Sequence, residues 1–510
     1  MWGLPGMIEP CAAPASRDTR HLPPTTRWPH PLVIILLLAA ALRLPLAFWP
    51  NFHHPDEVFQ YVEPAWRVLG HDSIVSWEWR YGMRGWLLPT IMAGPVAIGD
   101  WIAPGGMSAF VLPRLLAAIA SLSIVISAWA FGARVSRTHA VLASLVAAIW
   151  FELVYFAPHT LSEPLATAVI LPAAVLLSRA APSRRDLMGG GALLALAFLF
   201  RFQYAPAVAV LVLATCWRDW RRIKPLALGG AAILALGGGV DAMQGAMPFG
   251  WLIANVEQNL LQDRAAEFGT APASIYFGWL WQIWSIAVVP LSVAIFLGYR
   301  HAPALLWVGS AVIAFHSFIA HKEPRFIFLS TTVFIIIAAL GSADLILLWS
   351  RPAWRRLTGG LIAAGWIGTS AALGATGGWS VLWMNGIGAA KLASELKADP
   401  QMCGLALYDV FFTLLPGRDR LVGSKPLFAF YSADPLAGTE LTSVTRIAST
   451  SFNRILAYRS AEKDLPASFK ARDCDAVGGV QVCIFGREGT CGYGGAALFT
   501  LNDVLKRIDL

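Results

Sequence analysis

The chain has 510 residues, of which 56% are hydrophobic and only 14% charged, and its mean hydropathy is +0.58. Soluble domains carry about 25% charged residues, so this composition excludes a single soluble globule, a disordered chain and a small disulfide scaffold, and leaves a polytopic membrane protein with a soluble appendage. The net charge of +8 reads as topology, with basic loops on the cytoplasmic side, and no nucleic-acid partner is expected.

Residues 1–31 are Pro-rich and polar, with Arg17, Arg20 and Arg27. They are expected to form a disordered cytoplasmic extension. The apolar run 32–49 is long and is followed by no small-residue cleavage site, so it reads as a retained first span. Segment 86–102 is short and interrupted by Pro89 and Pro95, which suits an interfacial helix within a long outer loop, 50–107. Further apolar runs at 108–132, 139–157, 162–178, 187–200, 203–216, 226–246, 275–298, 303–320, 326–349 and 358–379 bring the count to about eleven spans. That count places Arg134/Arg137, Arg179/Arg184/Arg185, Arg218/Arg221/Arg222/Lys224, Arg300 and Arg351/Arg355/Arg356 all on the cytoplasmic side. It leaves 50–107, 158–163, 247–274, 321–325 and everything after about 380 outside. The small-residue stretches GGGALLALAF and GGAAILALGGG read as helix-packing faces.

The expected organisation is therefore a membrane unit at 32–379 and a soluble periplasmic α/β domain at 380–510. In that tail GLALYDVFF and GVQVCIFG read as strands and TLNDVLKRI as a helix. It holds Cys403, Cys474, Cys483 and Cys491, so one or two disulfides are plausible there, with a pairing that spacing does not reveal. Cys11 and Cys216 fall on the cytoplasmic side and read as free.

The densest polar cluster is His53-His54-Pro55-Asp56-Glu57, with Glu63 and Ser76-Trp77-Glu78-Trp79-Arg80 in the same loop. Adjacent acids beside histidines at a membrane surface suit a general base, a metal site or a helix cap. His321-Lys322-Glu323-Pro324-Arg325 forms an outer turn whose cations suit an anion, phosphate above all. Arg201 stands at an outer boundary, as an interface anchor or an anion ligand. Glu163, in the turn His159-Thr160-Leu161-Ser162-Glu163, is a further carboxylate candidate. The loop carrying Asn255, Glu257, Asp263, Arg264 and Glu267 reads as an amphipathic cover. No phosphate-binding glycine loop, zinc helix or nucleophile elbow is present.

The elements HPDEVFQ, SWEWRYGMRGWLLP, HTLSE, RFQYAP and HKEPRFIF occur in an order that resembles the GT-C glycosyltransferases of family 22. These are the α-mannosyltransferases that extend GPI anchors and dolichol-linked glycans, and the chain looks like a bacterial relative. The resemblance covers about 30–350. It implies a polytopic GT-C fold in the inner or plasma membrane and a polyprenyl-phosphate-linked sugar donor, most plausibly mannose. It further implies a lipid or glycan acceptor, an inverting transfer, and a site on the non-cytoplasmic side. Asp56 would be the base, with Glu57 orienting it or sharing the role. His321, Lys322, Arg325 and Arg201 would hold the donor phosphate. His54, Trp77, Glu78, Glu163 and Glu323 would orient substrate. No cofactor is required, although the acids and histidines could hold a divalent cation. The alternatives are a transporter or flippase of lipid-linked sugars, and the same fold moving another pentose or hexose.

Overall fold

The computed structural model describes residues 30–349, 351–437, 441–492 and 496–510. The N-terminal extension, with Cys11, lies outside the described residues except for its last two positions.

Apolar runs become helices throughout the first three quarters of the chain. Among the described residues, six helical segments are long and apolar enough to cross a membrane by length and composition: His30–Phe48, Ser108–Ala133, Trp220–Met243, Ile275–His301, Pro324–Leu347 and Pro352–Thr376. Shorter apolar helices occupy Arg137–Ile149, Ser162–Leu177, Phe202–Cys216 and Pro303–Phe318. Run 187–200 falls on Arg184–Phe200, which starts at a capping box: Ser183 Oγ accepts from the Asp186 amide and Asp186 accepts from the Ser183 amide. Pro324–Leu347 lies at the centre, with 89% of its apolar window buried.

The run 275–298 is interrupted after Trp284, at Ser285 with φ 49°, and two further segments depart from the sequence expectation. The run 139–157 is not one helix: Trp150 takes an extended backbone (φ −60°, ψ 125°) and separates Arg137–Ile149 from Phe151–Tyr155. The break frees the carbonyls of Ala147 and Ala148, and buried Arg43 donates to both, at 2.7 and 2.6 Å. Orphaned carbonyls away from water need such partners. Segment 86–102, expected to be interrupted, is one continuous helix, Leu87–Ile102. Pro89 sits in its first turn, where an amide has no helical partner.

The small-residue stretches do pack helices. A Cβ on Gly191 would lie 1.9 Å from the Leu226 carbonyl oxygen, and one on Gly229 would lie 1.9 Å from that of Met188. The helices Arg184–Phe200 and Ile223–Met243 therefore touch backbone to backbone.

The tail builds a five-stranded mixed sheet of order β2-β1-β3-β5-β4. The strands are β1 (Leu405–Tyr408), β2 (Leu427–Phe430), β3 (Arg454–Tyr458), β4 (Lys470–Val477) and β5 (Val480–Gly486). β2, β1 and β3 run parallel, and β5 pairs antiparallel with β3 and β4. The parallel strands are buried on both faces, which is why LALY and LFAF lack alternation. Cys474 and Cys483 face each other across the β4–β5 ladder and are joined, and Cys403 is joined to Cys491. Of the strands, β1 and β5 correspond to the segments read from sequence, as does the helix Leu501–Arg507; β2, β3 and β4 were missed.

This sheet is not a free appendage. Phe52, Val58, Phe59 and Ile74 of the first loop share a core with Leu392, Leu407, Leu456 and Val482 of the tail. Asn502 accepts from the Val75 amide at 3.0 Å and donates to the Ser73 carbonyl at 2.8 Å. Asn385 donates to the Phe52 carbonyl at 2.9 Å. The tail thus holds the loop that carries His54, Asp56 and Glu57.

Candidate active site

Glu57 sets the entry to its helical turn. Its Oε1 accepts from the His53 amide at 2.6 Å, and its Oε2 meets His159 Nδ1 at 2.8 Å. Arg114 stands 3.9 Å away, itself fixed on Asn51. Burial alone would raise this carboxyl, but His159, Arg114 and the His53 amide outweigh it and hold it at about 2. Glu57 is buried with its acceptors filled, so the capping reading belongs to Glu57, and Asp56 faces the other way.

Asp56 keeps 19% of its side chain exposed, and its Oδ2 accepts from Arg325 Nη2 at 2.7 Å. These residues are 269 apart in the chain. Arg325 is 4% exposed and divides its donors among three carboxylates. Nε donates to Glu323 Oε2 at 2.6 Å, Nη2 reaches Asp56 and Glu323, and Nη1 pairs with Glu163 Oε1 at 3.1 Å. His54 closes the ring: its Nδ1 accepts from the Asp56 amide at 3.2 Å, and its Nε2 lies 3.5 Å from Glu323 Oε2. The same Nδ1 also lies 3.3 Å from Asp56 Oδ1, so the ring bridges the Asp56 and Glu323 carboxylates. Burial would raise the Asp56 carboxyl, but Arg325, His54 and Arg84 hold it well below the ordinary carboxylate range. Glu323 is likewise held low: Arg325, His321 and His54 overcome its burial.

Glu163 is fully buried and bridges two guanidiniums, pairing with Arg201 Nη1 at 3.0 Å as well as with Arg325. Arg201 also donates to Ser162 Oγ at 3.2 Å and lies over the Phe326 ring, while its Nε has no protein partner. His321 Nε2 meets Glu323 Oε1 at 3.1 Å, and that bond raises the imidazole above its usual range. Lys322 faces away from the acids. Its ammonium donates to the carbonyls of Ala271, at 2.8 Å, and of Ile319, and so ties the 269–271 segment to this turn.

Arg84 was not singled out from sequence. It clamps Glu78, with Nη2 at 2.8 Å from Oε1, and Gln60 donates to the same carboxylate. Its charge is felt at Asp56, so the Glu78–Arg84 pair borders the Asp56 site. The two are six residues apart across a turn at Gly82 with positive φ, and nothing in their spacing signals the pairing. Trp77 belongs to the cover instead: it stacks on Phe268 with ring centroids 5.6 Å apart, and Arg264 lies over its other neighbour Tyr81 while pairing with Asp509.

A helical bundle carrying a small C-terminal mixed sheet is a GT-C membrane glycosyltransferase fold. The chain is similar in fold to ArnT from Cupriavidus metallidurans. Against ArnT bound to undecaprenyl phosphate the TM-score is 0.61 at 12% identity, covering 90% of this chain and 99% of that one. Against its apo state the TM-score is 0.58 at 14% identity, covering 89% and 97%. Residues 34–376 match the Alg9-like mannosyltransferase family, and the chain belongs to that family; it is a multi-pass membrane protein. It is 27% identical over 307 residues to GPI mannosyltransferase 3 of Yarrowia lipolytica, which covers 58% of this chain and 59% of that protein. It is 35% identical over 96 residues to GPI mannosyltransferase 3 of Aspergillus fumigatus, covering 18% and 12%. The chain thus spans 59% or less of the length of these relatives.

Proposed function

We propose that this protein transfers mannose from a polyprenyl-phosphate carrier to a hydroxyl of a lipid-linked or glycan acceptor, at the non-cytoplasmic face of the membrane and with inversion. The observation that carries the reading is the ion pair between rim-exposed Asp56 and buried Arg325, at 2.7 Å. It joins the two sequence clusters into one centre, as catalysis requires and as transport, which favours groups near the bilayer midplane, does not. Family membership supports mannose, and the undecaprenyl phosphate held by the structural neighbour supports the carrier.

In this scheme Asp56 takes the proton of the acceptor hydroxyl as that oxygen bonds to the sugar's anomeric carbon. The bond from that carbon to the phosphate oxygen breaks, and the phosphate leaves without protonation, so one carboxylate suffices where glycosidases need two. Arg325 fixes Asp56 and, with His321 and Arg201, supplies positive charge around the leaving phosphate, whereas Lys322, bound to the carbonyls of Ala271 and Ile319, takes no part in holding it. Arg201 Nε offers it an unoccupied donor. Glu57 positions Asp56 through the turn, His54 orients it, and Glu163 and Glu323 hold the guanidiniums. The Glu78–Arg84 pair faces sugar hydroxyls. No cofactor enters the scheme, and a chelator is expected to leave the rate unchanged.

The test supplies membranes with radiolabelled polyprenyl-phosphate mannose and a native lipid extract, alongside a pentose-linked carrier. Label moving from the mannosyl carrier to a new product is expected. Transfer only from the pentose donor would replace the sugar. No transfer, with labelled carrier instead crossing vesicle bilayers, would establish the transporter reading.

A further inference from the structure

We propose that the end of the helical bundle opposite Asp56 carries a transition-metal site, made by His139, His301 and Asp344 and suited to Zn2+. Three separate elements bring these side chains together: the helix Arg137–Ile149, the short turn Tyr299–His301 and the central helix Phe328–Leu347. His139 Nε2 lies 3.1 Å from Asp344 Oδ1, and His301 Nε2 lies 2.8 Å from Asp344 Oδ2. The three ligand atoms lie within 4.8 Å of one another, and among the described residues no other trio of His, Cys, Asp or Glu converges in this way.

Two imidazoles and one carboxylate are a donor set that Zn2+ takes, with a fourth position left for water. Zinc bonds of about 2.0–2.2 Å place tetrahedral ligand atoms about 3.3 Å apart. The two imidazoles meet different oxygens of Asp344, so binding an ion has the carboxylate turn to present one oxygen and the rings, with centroids 5.0 Å apart, swing until ligand atoms now within 4.8 Å of one another reach that spacing. His139 is also held by its other nitrogen: Nδ1 lies 2.8 Å from Oγ of Ser136, the residue that caps its helix. A partner on the second ring nitrogen fixes the tautomer and aims the first, as at metal sites. Arg300 pairs with Asp344 at 3.0 Å, but its side chain is 62% exposed and is free to withdraw when an ion supplies the charge.

The site is separate from the transfer centre. At 1.5 Å per residue, Asp344 lies roughly 28 Å along its helix from Arg325, on the face that also carries Arg134, Arg137 and Arg300. An ion there would staple the most buried helix to two neighbours.

The test uses the full chain, purified in detergent with a histidine-free tag, stripped with chelator and dialysed against Zn2+ or Co2+. Wild type is expected to retain one ion per chain by elemental analysis, to give the visible spectrum of tetrahedral Co2+, and to melt at a higher temperature with Zn2+ present. His301→Gln and Asp344→Asn are expected to bind at least tenfold more weakly and to lose the melting shift. His301→Cys, which keeps a ligand, should retain the ion, as should Asp56→Asn. The Co2+ spectrum of wild type stands even where a variant fails to fold. Absence of stoichiometric uptake by wild type, or uptake undiminished in His301→Gln and Asp344→Asn, would overturn the proposal and leave the trio as an ion-pair network only.

Discussion

Asp56 and Glu57 are neighbours with opposite duties. One peptide bond turns the first carboxylate to the rim and the second into the protein, where His159 and the His53 amide fill it. Removing one partner of a buried charged pair strands the other, at about 3–5 kcal/mol. Glu57→Ala is therefore expected to lower the melting temperature in detergent sharply, whereas Asp56→Asn should melt near wild type. Glu63 gives a pH signature. It is buried where the loop meets the tail, accepting from the amides of Ile74 and Arg418, and burial pushes its carboxyl up to about 7. The folded state keeps this proton where the unfolded chain has lost it, so its contribution is full below about 4.5 and declines as pH rises to about 7. Melting temperature measured across that window should fall with pH, and Glu63→Gln should flatten the slope. Asp56 and Arg325 were legible in the sequence because each lies in a short, dense polar motif between apolar runs. Arg84 was not, because its partner is reached only through the turn at Gly82. Nor does the sequence reveal that Lys322, a cation in a basic turn, spends its charge on backbone carbonyls.

At the scale of elements, apolar length was the readable signal, and it located helices well because a bilayer demands long uninterrupted runs. It failed where hydropathy is blind to backbone. Trp150 is as apolar as its neighbours, and the break there is made possible by Arg43, 107 residues earlier, satisfying the freed carbonyls. In the tail, β2 and β3 are short and buried almost throughout, so neither shows the alternation that marks a strand; β1, equally short, is legible only within the longer apolar run GLALYDVFF. The backbone-to-backbone crossing at Gly229 offers a direct test. Gly229→Ala places a methyl against the Met188 carbonyl, an overpacking that costs about 1–3 kcal/mol or more. The variant should melt below wild type, while alanine at Gly239, which meets nothing within 4 Å, should not.

For the whole molecule, the tail and the first loop act as one body because they share a core, and two disulfides lock the tail. The bond between Cys403 and Cys491 spans 88 residues, and losing such a bridge costs about 2–5 kcal/mol. Cys403→Ser/Cys491→Ser should therefore lower the melting temperature, and in wild type a reductant should do the same. Disulfides belong to oxidising compartments, so a phosphatase reporter fused after Leu510 should be active, placing tail and site on the non-cytoplasmic side. The central claim is that the rim carboxylate of this body is the base for mannosyl transfer. It is tested most directly by the rate of label transfer from polyprenyl-phosphate mannose by wild type and Asp56→Asn at matched amounts of folded protein. The account predicts a loss of about 10²–10⁴-fold with donor binding retained. Transfer by Asp56→Asn at the wild-type rate would contradict it.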